Sequence, residues 1–264
     1  MTASDADSAK TLWRLPVRLP DWVDESSDRP TAAVVGGSGH MAVVRVSDDE
    51  HAVAYGIDLD ARRRVWTKDD YRAEGVAGGN AAGASIKDGV HQRAIGYDVT
   101  SGSEKWKGED SYELTVRQAG PYLVTALGRN YESGDGYYRV LDGRSRAVKR
   151  NQPTPGDSRC RYDAKETVVC GQGNESTAYA MDAKSAKMLW QLPDKKADRI
   201  APEVTAVWHG RVYGKTCKAA VVLDARSGDD VAVQPGLAPL MVNESVALAL
   251  DENGNQLKAH PTAG

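Results

Sequence analysis

Five aspartates, Asp58, Asp98, Asp142, Asp182 and Asp224, recur at intervals of 40, 44, 40 and 42 residues in this 264-residue chain. Each closes a run rich in β-branched and aromatic residues (YGID, IGYD, YRVLD, AYAMD, VVLD), and the eighth residue after it is Trp66, Trp106, Arg150, Trp190 and Ala232 in turn. An interval of 40 to 45 residues with no helical periodicity between copies is the pattern of a β-propeller, in which each repeat supplies one four-stranded antiparallel blade. The runs before the aspartates have the composition of third strands. An Asp at that point turns the chain by accepting backbone N–H groups just beyond it, and Gly102 and Gly228, four residues on, supply a left-handed conformation. The residues leading to the Trp position then begin an outer strand.

The two ends of the chain extend this reading. SAKTLWRLP at 8–16 matches SAKMLWQLP at 185–193 in seven of nine positions, so it has the sequence of an outer strand with no inner strands before it. LMVNESVALALDENGNQLKAHPTAG, from Leu240 to Gly264, offers inner strands and no outer one. The expectation is therefore an all-β, six-bladed β-propeller of about 44 residues per blade, closed by pairing of the N-terminal strand with the C-terminal blade, with seven blades as runner-up. Such closure removes an open sheet edge. The 53 residues from Trp13 to Trp66 exceed the period, and the excess is assigned to a long connection, RLPVRLPDWVDESSDRP. Residues 1–7 are expected to be a disordered leader and 8–264 a single propeller domain.

Composition narrows the partners. Lys and Arg total 34 against 37 Asp and Glu, a net charge of -3, and no basic block occurs, so a nucleic-acid or anionic-membrane surface has no electrostatic footprint. No stretch reaches the ~18 apolar residues of a membrane-spanning helix, so no transmembrane segment is expected. MTASDADSAK has no apolar signal core, so any signal or anchor is absent from this sequence. Phe is missing altogether, which leaves Val, Leu, Ala and the rings of 11 Tyr and 6 Trp to build the core.

The tandem LDA-x-x-G-x-x-x-W frame resembles the pyrroloquinoline-quinone-like (PQQ-like) propeller repeat family, over nearly the whole chain from Ser8 to Gly264. The resemblance implies a fold, because the motif residues are structural ones. The closing-blade layout and the Cys-containing repeat SRCRYDAKETVVCGQG resemble exported bacterial propeller proteins, often lipoproteins, which implies an extracytoplasmic location in the cell envelope or secreted. The quinoprotein enzymes of the family resemble eight-bladed rings with an adjacent Cys pair and a carboxylate-held calcium ion. Here Cys160, Cys170 and Cys217 are never adjacent, and Trp is replaced at Arg150 and Ala232 and the turn Gly at Arg62, Arg146 and Ala186. PQQ binding is not carried over and no cofactor is expected, Ca²⁺ alone being left open.

Several stretches invite a chemical reading. Gly37, Gly39 and Ala42 in AVVGGSGHMAVV fit a dinucleotide-loop pattern, but that pattern needs a following helix, and MAVVRVS is strand-like, so a hairpin is expected. Cys160 and Cys170 flank the turn DAKE on neighbouring antiparallel strands, where a structural disulfide can form; Cys217 is left as a free thiol. His51 and His91 sit at equivalent positions, five residues before Gly56 and Gly96, and are read as repeated surface or packing residues rather than metal ligands.

The binding face is expected where outer strands connect to the next inner strands, together with the long loop GRNYESGDGYY. These segments carry Trp22, Asp24, Asp69, Tyr71, Arg72, Asp110, Tyr112, Asn130, Tyr131, Arg159, Asp198 and Arg199, and Trp, Tyr and Arg are the types enriched at protein-binding hot spots. The leading expectation is a non-catalytic, monomeric ligand- or protein-binding propeller of the cell envelope, an interaction scaffold or sensor for an envelope or extracellular protein or a small ligand. The alternative is a hydrolase, lyase or oxidoreductase with a channel metal held by Asp69, Asp110 and Asp198.

Overall fold

The computed structural model describes the chain except residues 5–7, 9, 18, 24–29, 87–90, 153–158, 172–176, 218, 234, 235, 251–255 and 262–264. Among the described residues there are strands and turns and no helix. Two compact units emerge, Met1–Gln118 with Val124–Val148, and Ala119–Leu123 with Lys149–Gly264.

The strands follow the repeat. After β1 (Thr2–Ser4) and β2 (Thr11–Arg14), the first sheet comprises β3 (Thr31–Ser38), β4 (Met41–Ser47), β5 (Ala52–Asp58) and β6 (Arg63–Asp69). The second comprises β7 (Tyr71–Ala77), β8 (Asn80–Ser85), β9 (Arg93–Asp98) and β10 (Glu104–Lys107). The third has β11 (Ser111–Ala119), β12 (Leu123–Asn130), β13 (Gly136–Asp142) and β14 (Val148–Gln152). The fourth has β15 (Arg159–Tyr162), β16 (Thr167–Gly171), β17 (Ala178–Asp182) and β18 (Met188–Leu192). The fifth has β19 (Glu203–Trp208), β20 (Arg211–Lys215), β21 (Ala220–Asp224) and β22 (Asp230–Val233), and the last has three strands, β23 (Met241–Val242), β24 (Val246–Leu250) and β25 (Leu257–Pro261). Each sheet is a meander in chain order; the glycine-rich stretch at Gly37–Gly39 is the expected hairpin, with Gly39 joining β3 to β4, and a second, GVAGGNAAGAS, turns at Gly78–Gly79 between β7 and β8, with positive φ at Gly39, Gly78 and Gly79.

Within the first unit, neighbouring sheets stack face to face. Met41, Val43 and Ala54 of the first pack with Ala73, Val76 and Ile95 of the second, and Ala82, Ala84 and Ala94 on the other side of the second pack with Val116, Val124 and Leu141 of the third. A strand covered on both faces has no solvent side to alternate toward, which is why β4 and β8 are buried almost throughout and read as MAVVRVS and NAAGAS. Within the second unit, Val169, Ala178 and Ala180 pack with Val204, Val212 and Leu223 in the same way.

The repeated residues prove to be the joints between sheets. Asp58, Asp98, Asp142, Asp182 and Asp224 each accept, on Oδ1, the backbone N–H groups two and three residues ahead. The residue after such an Asp then offers its carbonyl to the Trp of the preceding repeat: Trp66 Nε1 donates to Val99 at 2.8 Å, Trp106 to Gly143 at 2.8 Å and Trp190 to Ala225 at 2.9 Å. The Trp66 ring lies between Gly56 and Gly102, where an added Cβ would stand 2.1 Å and 2.6 Å from ring atoms. The frame therefore ties Trp of one blade to the Asp turn of the next. Arg62, Arg146 and Ala186, which replace the turn Gly, hold the same left-handed conformation at φ 52°, 62° and 58°.

The structure differs from expectation near the N-terminus. Thr2–Ser4, expected within a disordered leader, is a strand, and Thr11–Arg14 pairs with it, Ala3 opposite Trp13. The Met1 ammonium donates to the Leu15 carbonyl at 2.8 Å and Leu15 N–H to the Met1 carbonyl at 2.9 Å. Cys160 and Cys170 stand directly opposite on β15 and β16 and are disulfide-bonded, while Cys217 is a free, exposed thiol.

Candidate functional site

Two adjoining depressions open in the first unit, at the end of the first two sheets where outer strands pass to the next inner strands. The larger, a cleft of about 600 Å³, is lined by Asp49, Glu50 and His51 from the β4–β5 turn, Asp70 and Arg72 from the start of β7, and an apolar strip of Ala84, Ile86 and Leu114. Its neighbour, about 480 Å³, shares Asp70 and adds Asp21, Trp22, Tyr55, Arg64 and Asp69.

The β4–β5 turn is rigid because Asp48 Oδ1 accepts the N–H groups of Glu50 (2.9 Å) and His51 (2.6 Å), while Oδ2 lies 3.3 Å from His51 Nδ1. The His51 backbone bond, foremost, holds the Asp48 carboxyl below its usual range. His51 in turn stacks on Trp22, with ring centroids 5.1 Å apart and planes at 18°. Trp22 leans on the cluster of Val44, Val53 and Tyr55, so its ring is anchored on one side and half-exposed on the other. Burial pushes the Tyr55 phenol up, with Arg64 opposing it from 5.7 Å over the ring.

The equivalent histidine of the next repeat does the same. His91 packs on Tyr131, centroids 4.1 Å apart. Tyr131 N–H donates to the Asp110 carbonyl at 3.1 Å, and Asn130 Oδ1 caps its turn by accepting Glu132 and Ser133 N–H groups at 3.0 Å each. His91 precedes Gln92, which lines the larger cleft and accepts Leu114 N–H at 2.7 Å. Of the surface and packing roles expected of these histidines, each packs on an aromatic ring, Trp22 before β3 and Tyr131 in the β12–β13 loop. The frame repeat is the signal that found them; that each serves a loop ring is not visible in sequence, because the ring lies 29 residues before one and 40 after the other.

The remaining predicted residues divide. Asp69 lines the smaller depression, and Arg72 the larger, its Nη2 bound to the carbonyls of Asp48 (2.7 Å) and Asp49 (3.3 Å). Tyr71 is a core residue, 1% exposed, its hydroxyl 2.8 Å from the Ala81 carbonyl and 3.1 Å from that of Ile95; strand alternation turns it inward where Arg72 turns outward. Asp110 is held by both guanidinium nitrogens of Arg93, which lowers its pKa through that side-chain bond first. Tyr112 is half-buried on β11. In the second unit, Arg159 is exposed at the start of β15, and Asp198 sits at φ 52° in a tight loop closed by reciprocal Asp194–Arg199 backbone bonds of 2.9 Å. Arg199 Nη2 bonds the Gly228 carbonyl and Asp230 Oδ1, both at 2.7 Å, and so braces a turn. Asp24 lies outside the described residues. Among the described residues, no three His, Cys, Asp or Glu side chains form a metal-binding group, and no helix is long and apolar enough to cross a membrane.

Solved structures with this architecture are β-propellers. BamB from Moraxella catarrhalis is similar over 100% of this chain and 88% of its own, with TM-score 0.53 and 12% identity. The β-propeller domain of the Trilobed protease from Pyrococcus furiosus, described as having an open velcro topology, is similar over 89% and 86% with TM-score 0.53 and 10% identity. The Cps50 (Swd1) propeller domain from Myceliophteria thermophila is similar over 98% and 89% with TM-score 0.53 and 11% identity. At such identities the likeness establishes the fold: the chain is an all-β propeller, as the period of its repeat predicts. No protein-family model and no curated protein matches the sequence.

Proposed function

We propose that this propeller is a non-catalytic protein-binding module that works outside the cytoplasm, as a monomer, and receives its partner on the cleft face of the first unit. The observation that carries the reading is the pair of histidine-backed aromatics, Trp22 on His51 and Tyr131 on His91. A ring held in place before binding loses little freedom when a partner covers it, which is what hot-spot residues need. The Cys160–Cys170 bond suits an oxidising compartment, and hence an envelope or extracellular partner. Binding of this kind calls on neither PQQ nor Ca²⁺. A photoreactive residue in place of Tyr131 is expected to crosslink one discrete partner in intact cells, and the same probe in place of the exposed Val231 is expected to give none; equal crosslinking from both positions overturns the assignment of the face.

A further inference from the structure

The two depressions have a chemical bias that narrows the partner. Five carboxylates line them, Asp21, Asp49, Glu50, Asp69 and Asp70, against the guanidinium groups of Arg64 and Arg72. Both arginines are already engaged within the chain: Arg72 by the carbonyls of Asp48 and Asp49, Arg64 over the face of Tyr55. Asp49, Glu50, Asp69 and Asp70 make no ion pair among the described residues, whereas elsewhere Asp110, Asp182, Asp224 and Glu74 are each matched to an arginine. Five carboxylates against two guanidinium groups leave the lining net negative, so it attracts positive charge, and concave walls strengthen that field.

The lining also says what kind of cation. Ala84, Ile86 and Leu114 give the larger depression an apolar strip beside its carboxylates, and the half-exposed Trp22 gives the smaller one a ring face. A long aliphatic stem ending in a charge fits the first, and a cation laid on an aromatic face fits the second. Arg64 over Tyr55 shows within this chain that the smaller depression accepts a guanidinium in that manner. With volumes of about 600 and 480 Å³ and Asp70 common to both, the two can each take a long side chain from one strand of peptide.

We infer that the cleft recognises an extended segment of its protein partner bearing two cationic side chains, arginine or lysine, one seated in each depression. The inference rests on the protein-binding reading above and specifies the chemistry of the same face. The probe is an acetylated, amidated hexapeptide alternating arginine and leucine, titrated calorimetrically into the full chain beside counterparts with glutamine or glutamate for arginine. The arginine peptide is expected to bind, the glutamine peptide at least tenfold more weakly and the glutamate peptide not at all. Affinity for the arginine peptide should fall several-fold as ionic strength rises from about 0.02 to about 0.3 M. Combined Asp49→Asn, Glu50→Gln and Asp70→Asn should weaken it at least tenfold. Asp60→Asn, Glu104→Gln and Asp229→Asn, which change the net charge equally at other sites, should leave it within twofold.

Equal affinity for the arginine and glutamine peptides, both lost in Trp22→Ala, overturns the charge selection and leaves the protein-binding reading standing. Equal loss in the two triple variants, or none in either, overturns the assignment to this cleft. Absence of binding by the arginine peptide overturns the inference, while crosslinking at Tyr131 judges the wider reading separately. Circular dichroism of each variant confirms that it is folded.

Discussion

Trp22 and Arg199 occupy corresponding kinds of segment, a connection leading toward the next blade, and they do opposite things. In the first unit the connection before β3 holds Trp22 against His51 over the smaller depression, and the β12–β13 loop holds Tyr131 against His91. In the second, Arg199 turns back to brace the Gly228–Asp230 turn, and Asp198 sits in a loop stapled shut by Asp194 and Arg199. The same repeat frame thus supports a segment that presents side chains and one that spends them on the fold, so membership of a connection does not by itself make a residue available for binding.

The largest way to break the comparison is through the shared frame. Trp66→Ala removes a ring that is 7% exposed together with its bond to Val99, and is expected to cost about 3–5 kcal/mol in chemical denaturation. Trp190→Ala, losing the same kind of bond from a ring only half-buried, should cost about 2–3 kcal/mol. Equal costs would mean that the indole bond rather than burial sets the strength of the joint.

Next in size, Tyr71→Phe leaves the Ala81 and Ile95 carbonyls without the hydroxyl and should cost about 1–3 kcal/mol with no effect on partner capture. Tyr131→Ala should do the reverse, leaving stability within about 0.5 kcal/mol, as for an exposed side chain. A smaller, shared effect is expected in acid. Backbone bonding from Ser185 foremost holds Asp182 down to about 2, and backbone bonding from Ser101 and Ser227 likewise lowers Asp98 and Asp224. Their folded pKa values lie below the unfolded ones, so the stabilisation is complete above about pH 4 and is lost as pH falls toward about 2. Asp182→Asn with Asp224→Asn should flatten acid unfolding in that window. Smallest of all, Arg62→Gly relieves a left-handed arginine in an exposed turn and should stabilise by about 1 kcal/mol, read as a rise in unfolding midpoint.

What was legible in the sequence follows from how local each signal is. The Asp turns, the third strands and both glycine hairpins are set by contiguous residues, and periodicity locates them. The Trp joints were visible as spacing, although their acceptor, the carbonyl after the next Asp, needed coordinates. The pairing of Thr11–Arg14 with Thr2–Ser4 was not legible, because TAS is too short to carry a strand pattern of its own. Tyr71 was read as a loop residue for want of one position of strand register, and its neighbour Arg72 shows how sharply that register decides. The cleft itself was half legible: Trp22, Asp69, Arg72 and Tyr131 stood out by residue type, whereas Asp49, Glu50 and Asp70 gain meaning only from the surface they share.

The most direct test of the account compares two double variants in one assay, Trp22→Ala with Tyr131→Ala and Asp198→Ala with Arg199→Ala, following partner capture and thermal midpoint together. The account predicts that the first pair abolishes capture and keeps the midpoint within a few degrees, and that the second keeps capture and lowers the midpoint. Capture retained by the first pair and lost in the second would contradict it.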